Sequence, residues 1–154
     1  MRGAMGHTFT NHLYHIVFST KNRLPLIEAN IREELYKYIC GIARRCNGVV
    51  IGINGTSDHV HIFAQINPSV PVSDFVRMIK ANSSKWVSEK FPAKRSFQWQ
   101  AGYASFSVSE SNSNAVKKYI QEQERHHRTQ TFAEELKAFL ERHGIRYDPE
   151  HYLD

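Results

Sequence analysis

The sequence contains little cysteine and no long hydrophobic run. Only two of its 154 residues are cysteines, Cys40 and Cys46, and they fall in one predicted helix on different faces. Since such a pair cannot easily form a disulfide, we expect reduced, half-buried thiols. No apolar segment approaches the ~20 residues that span a bilayer, and the N-terminus lacks the apolar core of a signal peptide. We therefore expect a cytoplasmic protein.

Basic residues outnumber acidic residues in the sequence. There are 20 lysines and arginines against 15 aspartates and glutamates, which gives a formal net charge of +5. This balance is compatible with a polyanionic partner but is only weakly diagnostic of one. A hydrophobic fraction of 41% can form the core of one compact domain, which we place at residues 12–154. Residues 1–11 are expected to be an N-terminal extension, disordered or derived from cloning, with Met5 as a second start.

The spacing of apolar residues predicts alternating strands and helices. A period of two predicts strands at 13–20, 49–53, 59–66 and 103–109. Recurrence every three or four residues predicts helices at 27–46, 73–90, 115–127 and 131–142, the second with Ser73 as its N-cap. The order β-α-β-β-α-β with additional C-terminal helices is that of an α+β, ferredoxin-like fold with an antiparallel sheet. We expect helices on one face of the sheet and a free second face for a site or a partner.

Two histidines on the third predicted strand form the first candidate site. His59 and His61 are two positions apart, so they share one face of the strand. Their bases lie about 7 Å apart, close enough for both imidazoles to lean onto one cation. Alone, such a pair more often forms ordinary polar surface. Asp58 is interpreted as a turn residue, and His126 and His127 as cations that favour a helix C-terminus rather than as ligands.

The third predicted helix carries the second candidate site. Val116, Tyr119, Ile120 and Gln123 follow the i, i+3, i+4, i+7 spacing of a buried helix face. Tyr119 and Gln123 place a hydroxyl and an amide where apolar side chains would pack at lower cost in free energy. They lie one turn apart, so both polar groups can reach a common point. Each also has an ordinary explanation, as a tyrosine at the edge of the core and a boundary glutamine.

Taken together, these segments resemble a known family, the single-tyrosine transposases of small bacterial and archaeal insertion sequences (IS200-like), whose metal motif is histidine–hydrophobic–histidine. The resemblance covers nearly the whole chain from His12 onward. It rests on residues 12–18 with Lys21, 58–61, 99–103, 106–109, and Tyr119-Ile120 with Gln123 and His126-His127. One small departure is Ala104-Ser105, where the family pattern has Gly-Ala.

The resemblance implies specific roles for the candidate residues. His59, His61 and Gln123 are the implied ligands of Mg²⁺ or Mn²⁺, and Tyr119 is the implied nucleophile. The implied activity is cleavage and rejoining of single-stranded DNA with hairpin ends, at the ends of an insertion sequence, through a 5′-phosphotyrosine intermediate. The implied assembly is a homodimer in which the tyrosine helix of one subunit can complete the histidine site of the other. The sequence shows no obvious general base for the phenol.

Binding of single-stranded DNA requires basic side chains and stacking groups. Each basic residue alone is more often a solvated surface charge. The candidates are Lys21, Arg23, Arg77, Lys80, Lys85, Lys94, Arg95, Lys117 and Lys118, with Trp99 as the candidate stacking residue.

Two alternative functions stay open at the level of the sequence. One is a domesticated relative that processes repeated genomic palindromes with the same chemistry. Such relatives often carry longer basic tails, whereas residues 147–154 are acidic, so we favour the mobile-element form. The other is a non-catalytic module that binds single-stranded nucleic acid. The presence of both histidines and the tyrosine argues against it.

Overall fold

A four-stranded antiparallel sheet organises the chain. The computed structural model describes residues 6–154, so the predicted second start at Met5 lies outside the described residues. The strands are β1 (Leu13–Ser19), β2 (Gly48–Gly55), β3 (His59–Ile66) and β4 (Ala104–Val108). Their order across the sheet is β2-β3-β1-β4, and every pairing is antiparallel. With α1 (Ala29–Arg45) after β1 and α2 (Val72–Lys90) after β3, this confirms the predicted ferredoxin-like βαββαβ order.

The main core lies between one face of the sheet and helices α1 and α2. Strand residues such as Ile16, Phe18 and Ile62 alternate onto this face and pack against Ile39 of α1 and Ile79 of α2. All five side chains are fully buried. Burial of each side chain contributes about 1.5–3 kcal/mol to the stability of the fold relative to an exposed position. This layer therefore gives β1 and β3 a rigid support.

The second face of the sheet is also covered, so the prediction of a free face is wrong. Helix α3 (Ser113–Gln121) places Ile120 against Phe63 of β3. Helix α5 (Phe132–Arg142) packs Leu136 and Phe139 against Phe106 of β4. The strands and the C-terminal helices both contribute apolar side chains to this second face. Burial of these side chains explains why the helices fold back onto the sheet. The candidate residues lie inside this layer.

Two predicted helix boundaries differ from the structure. Helix α2 begins at Val72 with Pro71 as its N-cap residue, so Ser73 is not the cap. The single helix predicted at 115–127 is interrupted at Glu122, and a short helix α4 (Gln123–His126) follows. Asn54 of β2 explains the interruption. Its Nδ2 donates to the carbonyl oxygens of Ile120 and Gln121, at 3.0 and 3.2 Å, and so satisfies acceptors at the end of α3.

The remaining segments carry no extended secondary structure. Residues 6–12 and 143–154 lie outside helices and strands. Cys40 and Cys46 are unpaired and half-buried, as predicted. Among residues 6–154, no helix combines the length and the hydrophobicity needed to cross a membrane.

Candidate active site

Strand β3 fixes the two histidines of the His-x-His motif. It lies between β2 and β1, and His61 is paired with Asn54 on one side and Val17 on the other. The side chains of His59 and His61 share the sheet face that α3 and α5 cover, and both are fully buried. Their ring centroids are 5.1 Å apart. A strand held on both edges therefore presents two imidazoles to one point, as the alternation predicts.

The outward nitrogen of each ring has a partner. His59 Nδ1 lies 2.7 Å from Asp58 Oδ1, and His61 Nδ1 lies 2.7 Å from Nε2 of the buried His15. Although burial favours the neutral acid, the hydrogen bond and charge of His59 hold the pKa of Asp58 below its usual value. An ionised carboxylate only accepts, so Nδ1 of His59 carries a proton and donates it to Asp58, which turns Nε2 towards the centre of the cluster. Asp58 thus orients a histidine, a role that its interpretation as a turn residue omitted.

The interruption after α3 brings Gln123 and His127 into the same cluster. Gln123 is fully buried, and its Oε1 lies 3.1 Å from Nε2 of His59 and 3.1 Å from Nε2 of His127. Nδ1 of His127 donates to the carbonyl oxygen of Gln130 at 2.8 Å. His127 is therefore part of the cluster, and its interpretation as a helix-end cation is incomplete. His126 instead stacks on the Tyr119 ring, with centroids 4.4 Å apart.

Glu135 of α5 lies at the centre of the cluster, although the sequence reading did not select it. Its Oε1 lies 2.8 Å from Nε2 of His61, 3.1 Å from Nε2 of His127 and 3.5 Å from Nε2 of His59. Its Oε2 accepts a hydrogen bond from the hydroxyl group of Tyr119. The carboxylate is 1% exposed. One buried side chain thus contacts the three histidines and the predicted nucleophile.

Burial and charge set the protonation states of these groups. Burial lowers the pKa of His61 to about 4, which keeps the ring neutral at neutral pH. Burial, together with the charge and hydrogen bond of Glu135, raises the pKa of Tyr119 well above its usual value. For Glu135 itself, hydrogen bonds from His127 and His61 outweigh burial and hold its pKa well below the usual range. At neutral pH the cluster therefore contains a carboxylate, a phenol and a neutral His61.

The donor atoms fit a cation. One ligand atom from each of His59, His61, His127 and Glu135 lies within 4.8 Å of the others. Nδ1 of His59 and of His127 each face an oxygen acceptor, and their Nε2 atoms point at the oxygens of Gln123 and Glu135. Each of these close nitrogen–oxygen contacts requires a proton or a cation between the two atoms. Imidazole and carboxylate are common ligands of divalent metals.

A cavity of about 380 Å³ opens beside Tyr119. Phe106, Val116 and Phe139 line it with apolar surface, and Arg142 stands at its edge. The positive charge of Arg142 acts on Tyr119 in the direction that favours the phenolate, against the larger effect of burial. Tyr119 is therefore half-buried but reachable from solvent along this cavity.

Four of the predicted DNA-binding residues border adjoining grooves. Arg77 and Lys80 line one, Lys21 and Arg23 line the other, and Ala101 contributes to both. The remaining basic candidates lie elsewhere: Lys85 on α2, Lys94 and Arg95 at the short turn after it, and Lys117 and Lys118 on α3, across the sheet.

Trp99 lies in the core instead of presenting an exposed ring for stacking. It is 7% exposed, and its ring packs edge-on against Phe18 and Phe97, at 4.8 and 4.9 Å between centroids. Its Nε1 donates to Oγ of the buried Ser83 at 2.9 Å. Trp99 borders both grooves, but its low exposure leaves little of the ring for a base to stack on, so we no longer expect a stacking role for it.

Comparison with known proteins identifies the family. The model of the IS200-like transposase family matches residues 8–123. The ISDra2 transposase TnpA of Deinococcus radiodurans is 25% identical over 115 residues, which cover 71% of this chain and 82% of that protein. The transposase for insertion sequence element IS200 of Salmonella typhimurium is 27% identical over 125 residues, or 78% of this chain and 82% of that protein.

Solved structures share the fold. A crystal structure described as that of a transposase candidate from Deinococcus radiodurans R1 superposes with a TM-score of 0.62 at 23% identity, covering 80% of this chain and 98% of the other. A REP-associated tyrosine transposase bound to a REP hairpin gives a TM-score of 0.61 at 14% identity, covering 82% and 74%. At these identities the likeness concerns the fold alone. The family model, which spans most of the described residues, shows that the chain belongs to the IS200-like transposase family.

Proposed function

We propose that this chain cuts and rejoins single-stranded DNA at insertion-sequence ends, with Tyr119 as the nucleophile and His59, His61 and Gln123 holding a divalent cation. One observation carries the proposal. The Tyr119 hydroxyl and the two histidines of the motif belong to one cluster. The hydroxyl and Nε2 of His61 both contact the carboxylate of Glu135. Residues far apart in sequence converge there at the side of a reachable cavity, which is the arrangement that nucleophilic phosphoryl transfer requires.

The proposed cleavage step exchanges one phosphoester bond for another. The Tyr119 oxygen attacks the scissile phosphorus, the bond from phosphorus to the 3′-oxygen breaks, and a 5′-phosphotyrosine forms. The phenol loses its proton, and the leaving 3′-oxygen gains one. In the rejoining step a 3′-hydroxyl attacks the phosphotyrosine, the bond to Tyr119 breaks, and the phenol is restored. Because the number of phosphoester bonds is conserved, the cycle consumes no external energy.

The chemistry of the donors bears on the cation. A divalent ion bound there supplies charge that stabilises the negative oxygens of the transferring phosphoryl group. Mg²⁺ prefers oxygen ligands, whereas imidazole suits transition metals better. A donor set with several imidazoles therefore supports Mn²⁺ over Mg²⁺ as the tighter-binding ion of the two that the family resemblance implies.

The substrate that we propose is a single strand with hairpin ends. The grooves bordered by Lys21, Arg23, Arg77 and Lys80 offer positive charge to a phosphate backbone. Exposed Tyr103 lines the groove of Arg77 and Lys80 and replaces Trp99 as the aromatic candidate for base stacking. The structural neighbour that binds a REP hairpin shares only the fold, so it does not favour the domesticated role over the mobile-element role.

The contacts described above need only one chain. Tyr119 and Gln123 lie beside His59 and His61 of the same chain, and Glu135 contacts both groups. This supports a site completed within each subunit, whether or not the chain forms the homodimer that the family resemblance implies. A dimer that exchanges the tyrosine helix would have to detach α3 from Phe63 and Asn54.

The test is formation of a covalent protein–DNA adduct. The protein is incubated with Mn²⁺ and single strands that carry hairpin ends and randomised flanks, and products are separated under denaturing conditions. Wild type should form an adduct that Tyr119→Phe does not form, and His61→Ala should abolish cleavage while largely sparing DNA binding. Circular dichroism checks that both variants are folded. Equal adduct yields for wild type and Tyr119→Phe would refute the assignment of the nucleophile.

A further inference from the structure

We infer that Glu135, together with His127, belongs to the cation site and ties that site to Tyr119, so that α5 completes the active centre. The family model ends at residue 123, whereas both residues lie beyond it. The inference rests on the proposed function for two points, the cation at His59, His61 and Gln123 and the naming of Tyr119 as the nucleophile. It concerns how this chain holds its cation and its phenol.

Glu135 places a negative charge inside the cluster. Among residues 6–154, Glu135 is the one fully buried carboxylate. An ionised carboxylate in a protein interior is costly unless it is paired with a positive charge. Its Oε1 faces Nε2 of all three histidines, within 3.5 Å. A divalent cation bound among these atoms would pair the carboxylate, with the three Nε2 atoms and Oε1 as its ligands.

The histidine rings are oriented as metal ligands are. Nδ1 of His127 donates to a backbone carbonyl, just as Nδ1 of His59 faces Asp58, so both rings present Nε2 to the centre. Metal-binding histidines commonly use one nitrogen for the metal and give the other proton to such an acceptor. His127 therefore has the arrangement of a ligand, and Glu135 supplies the charge that a site built from imidazole and amide alone lacks.

Glu135 also connects the cation site to Tyr119. The two oxygens of Glu135 face different partners: Oε1 faces the histidines, whereas Oε2 accepts from Tyr119 and, at 3.3 Å, from Nε2 of Gln123. The backbone that carries Glu135 is fixed by Leu136 and Phe139 in the core. A rigid helix thus holds one carboxylate between cation and phenol, and Glu135 acts as a positioning residue for Tyr119.

Mn²⁺ binding tests the ligand role without DNA. The full chain is stripped with a chelator and titrated with Mn²⁺, and free Mn²⁺ is measured by electron paramagnetic resonance. We expect Glu135→Gln, which keeps the size of the side chain, to weaken binding at least about 10-fold. The matched control is Glu134→Gln, which alters the neighbouring exposed residue and keeps a side chain suited to its capping position. It should bind within about twofold of wild type.

A second variant tests the same site if the first variant does not fold. If circular dichroism shows that Glu135→Gln is unfolded, His127→Gln tests the same site from a half-buried position and should also weaken Mn²⁺ binding at least about 10-fold. Mn²⁺ affinity within twofold of wild type in a folded Glu135→Gln or His127→Gln would overturn the ligand assignment for that residue.

Fluorine NMR tests the positioning role. The chain is labelled with 3-fluorotyrosine, and the Tyr119 resonance is identified by its loss in Tyr119→Phe. Saturating Zn²⁺, which is diamagnetic, should shift this resonance in wild type and in Glu134→Gln but not in Glu135→Ala. A shift of equal size in Glu135→Ala would overturn the link. Because no DNA is present, these outcomes are independent of whether the protein cleaves DNA, and a failure here is distinguishable from a failure of the proposed function.

Discussion

Replacement of Trp99 distinguishes a role of this residue in the core from a role in stacking on DNA bases. In the structure, Trp99 fills the space between Phe18 and Phe97, and its indole N–H is bonded to the hydroxyl of Ser83. Trp99→Ala removes the ring and leaves a cavity beside β1. Buried tryptophan-to-alanine changes cost about 3–5 kcal/mol of unfolding free energy, and the lost hydrogen bond accounts for roughly 1 kcal/mol of this.

The assay compares stability with DNA affinity. Urea unfolding is followed by circular dichroism, and binding of a labelled single strand is followed by fluorescence anisotropy at a temperature where the variant is folded. We expect the large loss of stability above and little change in affinity. Tyr103→Ala is the control, because Tyr103 is 41% exposed on the adjoining groove and should change stability by less than about 0.5 kcal/mol. Unaltered stability of Trp99→Ala with a loss of about 1–3 kcal/mol in DNA binding would refute the placement in the core.

Three further changes test the surroundings of the site. Asp58→Ala removes the acceptor at Nδ1 of His59, so Mn²⁺ affinity by calorimetry should fall about 10–100-fold, and unchanged affinity would contradict the orienting role. Thr131→Ala removes the capping box of α5 and should lower the free energy of unfolding, measured by urea denaturation, by about 1 kcal/mol. An unchanged free energy of unfolding would mean that the cap does not stabilise the fold. Burial lowers the pKa of Lys80 to about 8. The folded form therefore loses this proton at lower pH than the unfolded form, whose lysine titrates near 10.5. Wild type should gain stability relative to Lys80→Met as the pH rises through this window, and a constant difference in urea unfolding would argue against the burial.

The sequence predicts those parts of the site that depend on local periodicity. Alternation along β3 is sufficient to place His59 and His61 on one face, because neighbours on both sides keep the strand regular. Helical spacing places Tyr119 on the buried face of α3. The order of strands and helices is likewise enough to predict the ferredoxin-like sheet.

The remaining parts depend on contacts between distant segments. His127 lies in the cluster beyond a break in the helix at Glu122, next to the hydrogen bonds from Asn54 of β2, and helical spacing does not reveal this break. Trp99 enters the core because its backbone bridges to Thr20 at the end of β1. The short segment around Trp99 is not predicted as a strand, so the sequence offers no reason to expect that pairing.

Glu135 did leave a signal in the sequence. Phe132, Leu136, Phe139 and Leu140 form the apolar stripe of α5, and Glu135 occupies a position inside this stripe. A charged residue on a face that must be buried needs a partner, so the position itself indicates a site. What the sequence does not contain is the identity of that partner, because β3 and α3 meet α5 only in the folded chain.

A mixing experiment tests the proposed site most directly, namely the proposal that each chain brings its own Tyr119 to its own histidines. Tyr119→Phe retains the histidines, and His61→Ala retains the nucleophile, so neither variant alone should form an adduct with hairpin-ended single strands and Mn²⁺. If the site is completed within one chain, the mixture should also form none, while wild type at the same concentration forms the adduct. An adduct on the His61→Ala chain in the mixture would contradict this, since it would require Tyr119 of one subunit to act at the histidines of another.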